Sequence, residues 1–237
     1  MAMIDWDDNM VKLLIYLVYG TIFIAMFCVL TLWRKKITII EFMNDFGSLA
    51  IFALLQGLSG YCEIPRILDL HPAWVYDILK LILASSSFAA LFSFGLNVAS
   101  AGIEENRWLR GIPHGALMMY FWFLTFMGSE MTSGNSISFN YNVADLVQRQ
   151  SLGFLGAVVT SYAFFELSDK LNTIVGANAG KKFIYAGVGF ALYAIFIGFI
   201  VNPVLGIPAI FFSCVIALFL TIVIINIFEL FEVKKPG

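Results

Sequence analysis

The sequence predicts an all-α fold: a polytopic membrane helix bundle with seven transmembrane helices. Three observations point there. Seven long apolar stretches run through the 237 residues. The composition is 60% hydrophobic and 16% aromatic, with only 13% charged residues, too little polar surface to cover a water-soluble domain. The apolar stretches also lack strand-like alternation, and a helix satisfies its own backbone hydrogen bonds in lipid.

Each span is read in order from its apolar run, at roughly 20 residues per crossing. The first covers about Val11 to Trp33, the second about Ile37 to Tyr61, and the third about Ala73 to Ala101. The fourth covers about Ile112 to Gly128 and is followed by the polar loop SEMTSGNSISFNYN. The fifth covers about Val143 to Leu167, the sixth about Phe183 to Val201, and the seventh about Ile207 to Phe228. Together they use nearly the whole chain, so 1–237 reads as a single domain with no room for a soluble one.

Charge sets the orientation. The first ten residues, MAMIDWDDNM, are acidic, and Arg34-Lys35-Lys36 follows the first apolar run. That is the reverse of a cleavable signal peptide, and it places the N-terminus outside. Alternating from there, Arg34, Lys35, Lys36, Arg107, Arg110, Lys170, Lys181, Lys182, Lys234 and Lys235 all fall on the cytoplasmic side, ten of the 14 basic residues. An odd number of crossings leaves the C-terminus cytoplasmic. Prolines mark the loops: Pro65 and Pro72 in the second, Pro113 at the start of span four, Pro203 and Pro208 beside the sixth. The two halves do not match, so the inverted repeat of many transporters is not seen.

Several function classes are disfavoured. No basic run suits nucleic acid. Cys28, Cys62 and Cys214 lack CxxC spacing and read as small apolar packing residues. His71 and His114 fall near opposite faces of a roughly 30 Å core, which prevents joint ligation of one haem and leaves His plus one of the nine Met as the open alternative for such a ligand pair. Span seven has no lysine for a retinal. No nucleophile–base set or cofactor fingerprint appears, so neither an enzyme nor a cofactor is expected.

Charges within a span need a reason. Asp77 and Lys80 stand three apart in span three and are expected to pair; Asp145 and Arg149 stand four apart at the outer start of span five. Glu63, Arg66, Asp69 and Glu130 lie at similar depth. These are either interfacial ion pairs with snorkelling stems or a polar outer chamber. In the chamber, Lys80 and Arg149 would hold an anionic or quinone-like head group. Gln56 is a mid-span amide that needs a partner, either another helix or a ligand. Glu41 and Asp45, four apart, either relay protons or face the Arg34–Lys36 loop. Small residues suit close helix contact: Ala84 to Ser87, Ala89-Ala90, Gly153, Gly156, Gly187 and Gly189.

Three stretches carry a resemblance. They are YGTIFIAMFCVLTLWRKK with LAIFALLQGLSGY, LVQRQSLGFLGAVVTSYAFFEL, and GFALYAIFIGFIVNP. The second contains Arg149, Leu152, Gly153, Gly156 and Ala157 as Arg-x-x-Leu-Gly-x-x-Gly-Ala. In this order they resemble the seven-helix N-terminal membrane region of bacterial sensor histidine kinases and diguanylate cyclases. Where that family often has His, this chain has Gln56, and Gly60 and Tyr61 stand where an acidic residue and Trp tend to follow. The 237 residues hold no kinase or cyclase domain, so the resemblance implies an excised sensor portion or a stand-alone relative.

What the resemblance implies is a non-enzymatic sensory module of the bacterial inner membrane. The ligand, a lipid or quinone-like molecule, would meet Lys80, Arg149, Asp77, Asp145, Gln56 and Tyr61. The signal would leave through the last helix, by way of Phe228 to Val233. Expected partners are membrane lipids, a second copy of the chain, and a cytoplasmic kinase or cyclase. The rival expectations are an accessory subunit held among other membrane subunits and a small-molecule transporter.

Overall fold

A computed structural model of the chain describes residues 9–34, 45–70, 72–100, 104–132, 141–174, 177–198 and 209–232. Every element within them is helical. In chain order they are α1 (Asn9–Arg34), α2 (Phe46–Tyr61), a short α3 (Glu63–Ile67) and α4 (Ala73–Ala99). A 3-10 segment (Glu104–Gly111) leads into α5 (Ile112–Thr132). Next come α6 (Tyr141–Gln148), a π-helical segment (Arg149–Phe154) and α7 (Leu155–Ile174), then α8 (Ala177–Gly198) and α9 (Ala209–Glu232).

Among the described residues, six helices are long and apolar enough to cross a membrane: Asn9–Leu32, Phe46–Ile67, Trp74–Ala99, Tyr141–Asn172, Gly180–Gly198 and Ala209–Glu229. These six also close a ring. Each packs on the next in the order α1, α2, α4, α7, α8, α9, and α9 returns to α1. The outward faces stay apolar, with Leu14, Ile82, Val158, Ile195, Leu218 and Ile222 all exposed. An all-round apolar exterior suits lipid and not water.

α5 is the seventh long helix, 21 residues from Ile112 to Thr132, and the crossing expected at about Ile112 to Gly128 falls on it. It stands outside the ring, packed on α4 and the π segment, with Met118, Met119 and Trp122 exposed.

Aromatic side chains fill the ring. Phe46 meets Phe94 at 5.2 Å and Phe228 at 5.7 Å, Phe23 meets Phe52 at 5.6 Å, and Phe164 stacks on Phe190 at 5.4 Å. Such pairs add about 0.5–1.5 kcal/mol each beyond the area they bury. Small residues let the walls close, among them Gly95, which the sequence pattern did not single out. A Cβ on Gly95 would lie 2.7 Å from the backbone nitrogen of Thr160, so α4 and α7 touch backbone to backbone there. Thr160 Oγ1 donates to the Leu91 carbonyl at 2.9 Å, and Ser161 Oγ donates to the Gly187 carbonyl at 2.7 Å.

Three local expectations need correcting. Pro65 lies inside α3 rather than in a loop, because the first helical turn has no use for its missing N–H. Cys28 is exposed on the outer face of α1, whereas Cys62 and Cys214 are buried as expected. α3 stops at Asp69, which adopts φ 54° and is capped by Leu70 N–H on the Pro65 carbonyl and Asp69 N–H on the Arg66 carbonyl. That pattern usually takes glycine at the left-handed position, and aspartate tolerates it. Asp69 is therefore an exposed helix stop. Burial pushes the Asp45 carboxyl up, against a hydrogen bond from Asn97 and the charge of Arg110. Glu41 and His71 lie outside the described residues.

Candidate functional site

The ring encloses a cavity of about 260 Å³ at one end. Five ring helices and the segment leading into α7 contribute: Tyr16 and Tyr19 from α1, Gln56, Ser59 and Gly60 from α2, and Lys80, Ala84 and Phe88 from α4. Asp145, Gln148 and Arg149 come from α6 and the π segment, Phe196 and Ile197 from α8, and Ala209, Ile210 and Ser213 from α9. The end is set by antiparallel packing. Lys170 near the end of α7 and Lys181 and Lys182 near the start of α8 lie at the opposite end of the ring.

Charges cluster beside the cavity. Lys80 pairs with Glu63 of α3, which is 6% exposed. Arg66 reaches Glu63 and Asp77, both at 3.5 Å. The expected Asp77–Lys80 pair does not form. The turn at α3 brings Glu63 over Lys80, and Asp77 falls to Arg66 instead. Arg149 Nε lies 2.8 Å from Asp145 Oδ2, as their spacing predicted. Gln148 Nε2 donates to Asp145 Oδ1 at 2.9 Å. Tyr141 spreads its ring under both Arg66, at 4.9 Å, and Lys80, at 5.4 Å. Three cations thus face three carboxylates.

Deeper in, a hydrogen-bonded chain ties three helices. Gln56 Nε2 donates to the Tyr19 hydroxyl at 2.8 Å, and Ser87 Oγ donates to Gln56 Oε1 at 2.9 Å. The mid-span amide therefore has partners on α1 and α4. Such bonds average about 0.6 kcal/mol in membrane proteins.

Of the six residues singled out in the sequence, Lys80, Arg149, Asp145 and Gln56 line the cavity. Asp77 sits behind it on Arg66. Tyr61 lies on the α1 face, where its ring covers Gly20 and its hydroxyl shares a 3.0 Å hydrogen bond with Thr21. Reasoning from sequence missed Tyr16, Tyr19 and Gln148. The first two stand three apart on α1, a spacing that marks one helix face.

The Arg-x-x-Leu-Gly-x-x-Gly-Ala stretch lies where the helix changes form. The π segment begins at Arg149, and Leu152 and Gly153 are buried. A Cβ on Gly153 would lie 2.9 Å from Ile197 Cγ2 and 3.2 Å from Phe88 Cε2, so glycine lets this turn sit against two cavity walls. π turns often occur at functional sites.

Compared with protein-family models, with curated proteins and with solved structures, the chain matches none.

Proposed function

We propose that this chain is a membrane-embedded, non-enzymatic sensory module of the bacterial inner membrane. In this reading it crosses seven times, with α5 as the peripheral crossing, the N-terminus outside and the C-terminus in the cytoplasm. The ring cavity then opens in the outer half, away from the basic end. A small amphiphile, a lipid or a quinone-like molecule, occupies it and biases the packing of the ring. The resemblance to the membrane regions of sensor kinases and cyclases supports the same role.

The observation that carries this reading is the reach of α9. Its first turns, at Ala209, Ile210 and Ser213, line the cavity. Its far end buries Phe228 against Phe46. A straight helix of 24 residues is about 36 Å long and moves as one body. A shift of its first turn on ligand binding is transmitted to the other end of the bundle, in the manner of helix-shift switches. From there it passes to a second copy of the chain or to a cytoplasmic kinase or cyclase.

Native mass spectrometry of the full chain, purified gently from membranes, tests the proposal. The wild type should retain a bound amphiphile, and Arg149→Ala should lose it while still inserting. A wild type that carries no such molecule contradicts the reading.

A further inference from the structure

Two opposite charges stand together in the cavity wall, and both are accessible. Arg149 and Asp145 line the cavity, and their side chains are 31% and 17% exposed. Their contact leaves each with capacity to spare. Arg149 uses only Nε, on Asp145 Oδ2 at 2.8 Å. Its two terminal nitrogens have no partner among the described residues, and neither is a buried unpaired atom. Asp145 accepts one hydrogen bond on each oxygen, from Arg149 on Oδ2 and from Gln148 Nε2 on Oδ1 at 2.9 Å. A carboxylate offers about four lone-pair positions, so each oxygen keeps one. Tyr16, on α1, lines the same cavity, and its hydroxyl makes no hydrogen bond among the described residues. The wall therefore presents unspent donors beside an unspent anionic acceptor.

Charge narrows the class. Arg66, Lys80 and Arg149 stand against Glu63, Asp77 and Asp145, three against three. A singly charged occupant of either sign would add an unmatched charge away from water, which is costly. An uncharged head would leave the guanidinium and the carboxylate without the stronger, charge-assisted bonds each can make. A head with one charge of each sign adds no net charge and meets both groups. Size narrows it again. An apolar cavity of about 150 Å³ accommodates benzene, so the volume here, about 260 Å³, takes a head of roughly ten non-hydrogen atoms. That admits a phosphodiester with a two-carbon ammonium arm and leaves no space for acyl chains.

Resting on the ligand-binding reading above, we propose that the occupant is the zwitterionic head of a phospholipid, a phosphodiester joined to a primary ammonium. Its phosphate oxygens accept from the terminal nitrogens of Arg149, a planar fork that matches phosphate geometry, and from the Tyr16 hydroxyl. Its ammonium donates to Asp145. An anionic phospholipid, with glycerol in place of the ammonium arm, meets Arg149 equally well but sets its phosphate charge beside Asp145 with nothing to offset it. The lipid is bound and released unchanged.

The test is native mass spectrometry of the full chain in a non-ionic detergent, titrated with short-chain lipids. Phosphatidylethanolamine, phosphatidylglycerol and diacylglycerol of equal chain length are compared, together with acyl-free glycerophosphoethanolamine. Phosphatidylethanolamine should bind at least roughly tenfold tighter than each of the others, the scale of one hydrogen bond to a charged group. Asp145→Asn keeps an acceptor for Gln148 and Arg149 while removing the negative charge, and it should reverse the order so that phosphatidylglycerol binds tighter. A residue that merely held the wall in place would weaken all the lipids alike. The wild-type comparison stands even if the variant folds poorly. Phosphatidylglycerol or diacylglycerol binding as tightly as phosphatidylethanolamine, or an unchanged order in Asp145→Asn, overturns the proposal. Equal binding of the acyl-free compound overturns the lipid source, the same head chemistry then coming from solution. If a native amphiphile still copurifies with the wild type, only the head class has failed; if none does, the sensory reading has failed too.

Discussion

Ser87 on α4 donates to Gln56 Oε1 on α2 at 2.9 Å, thirty-one residues away in sequence. The same amide donates to Tyr19 on α1, so one side chain joins three consecutive walls of the ring. Gln56→Leu leaves the Tyr19 hydroxyl without its donor, while Ser87 keeps a second acceptor in the Phe52 carbonyl at 3.1 Å. Gln56→Leu should therefore cost about 1–2 kcal/mol and Ser87→Ala less than about 1 kcal/mol. Unfolding equilibria in mixed micelles should give these values, and a double-mutant cycle should show the two changes to be coupled.

The Lys80–Glu63 pair should respond asymmetrically. Glu63→Ala strands the buried Lys80 and should cost about 3 kcal/mol or more, whereas Lys80→Ala leaves Glu63 with Arg66 at 3.5 Å and should cost less. Replacing both with apolar residues, Glu63→Leu with Lys80→Met, should restore much of the loss. Thermal midpoints of the four proteins check this. A double variant as unstable as the worse single would contradict the pairing.

Two glycines should diverge. Gly95→Ala sets a methyl against the backbone of α7 at Thr160, which cannot swing aside as a side chain could. It should cost about 1–3 kcal/mol. Gly115→Ala on α5 meets nothing within 4 Å and should stabilise that helix by roughly 0.5–1 kcal/mol. Thermal midpoints measured side by side decide it.

Cys28 reports the solvent around the bundle. It faces outward from the C-terminal third of α1, while Cys62 and Cys214 are buried. A nitroxide attached at Cys28 should be accessible to oxygen and shielded from a water-soluble nickel chelate. The reverse accessibility by electron paramagnetic resonance would show that α1 faces water.

The long helices were legible because an unbroken apolar run of span length has few alternatives. Close-packing glycines such as Gly153 and Gly156 were legible for a related reason, since small residues in a span usually lie at a helix contact. The partner of Lys80 was not. Asp77 offered itself at a helical spacing, but Glu63 arrives through the turn after α2, and local spacing cannot anticipate a contact made by a separate helix. The π segment at Arg149–Phe154 was hidden too. An added residue in one turn leaves the apolar pattern nearly unchanged, so nothing in the sequence marks it. The place of α5 outside the ring was equally invisible, because an apolar stretch does not say which neighbours it will find.

The account rests on an odd number of crossings with the cavity on the outer side. Fusing a reporter active only outside the cytoplasm, and separately one fluorescent only inside it, to each end of the full chain measures this directly. The N-terminus should report outside and the C-terminus inside. Both ends on one side would mean that only the six ring helices cross, and would contradict the account.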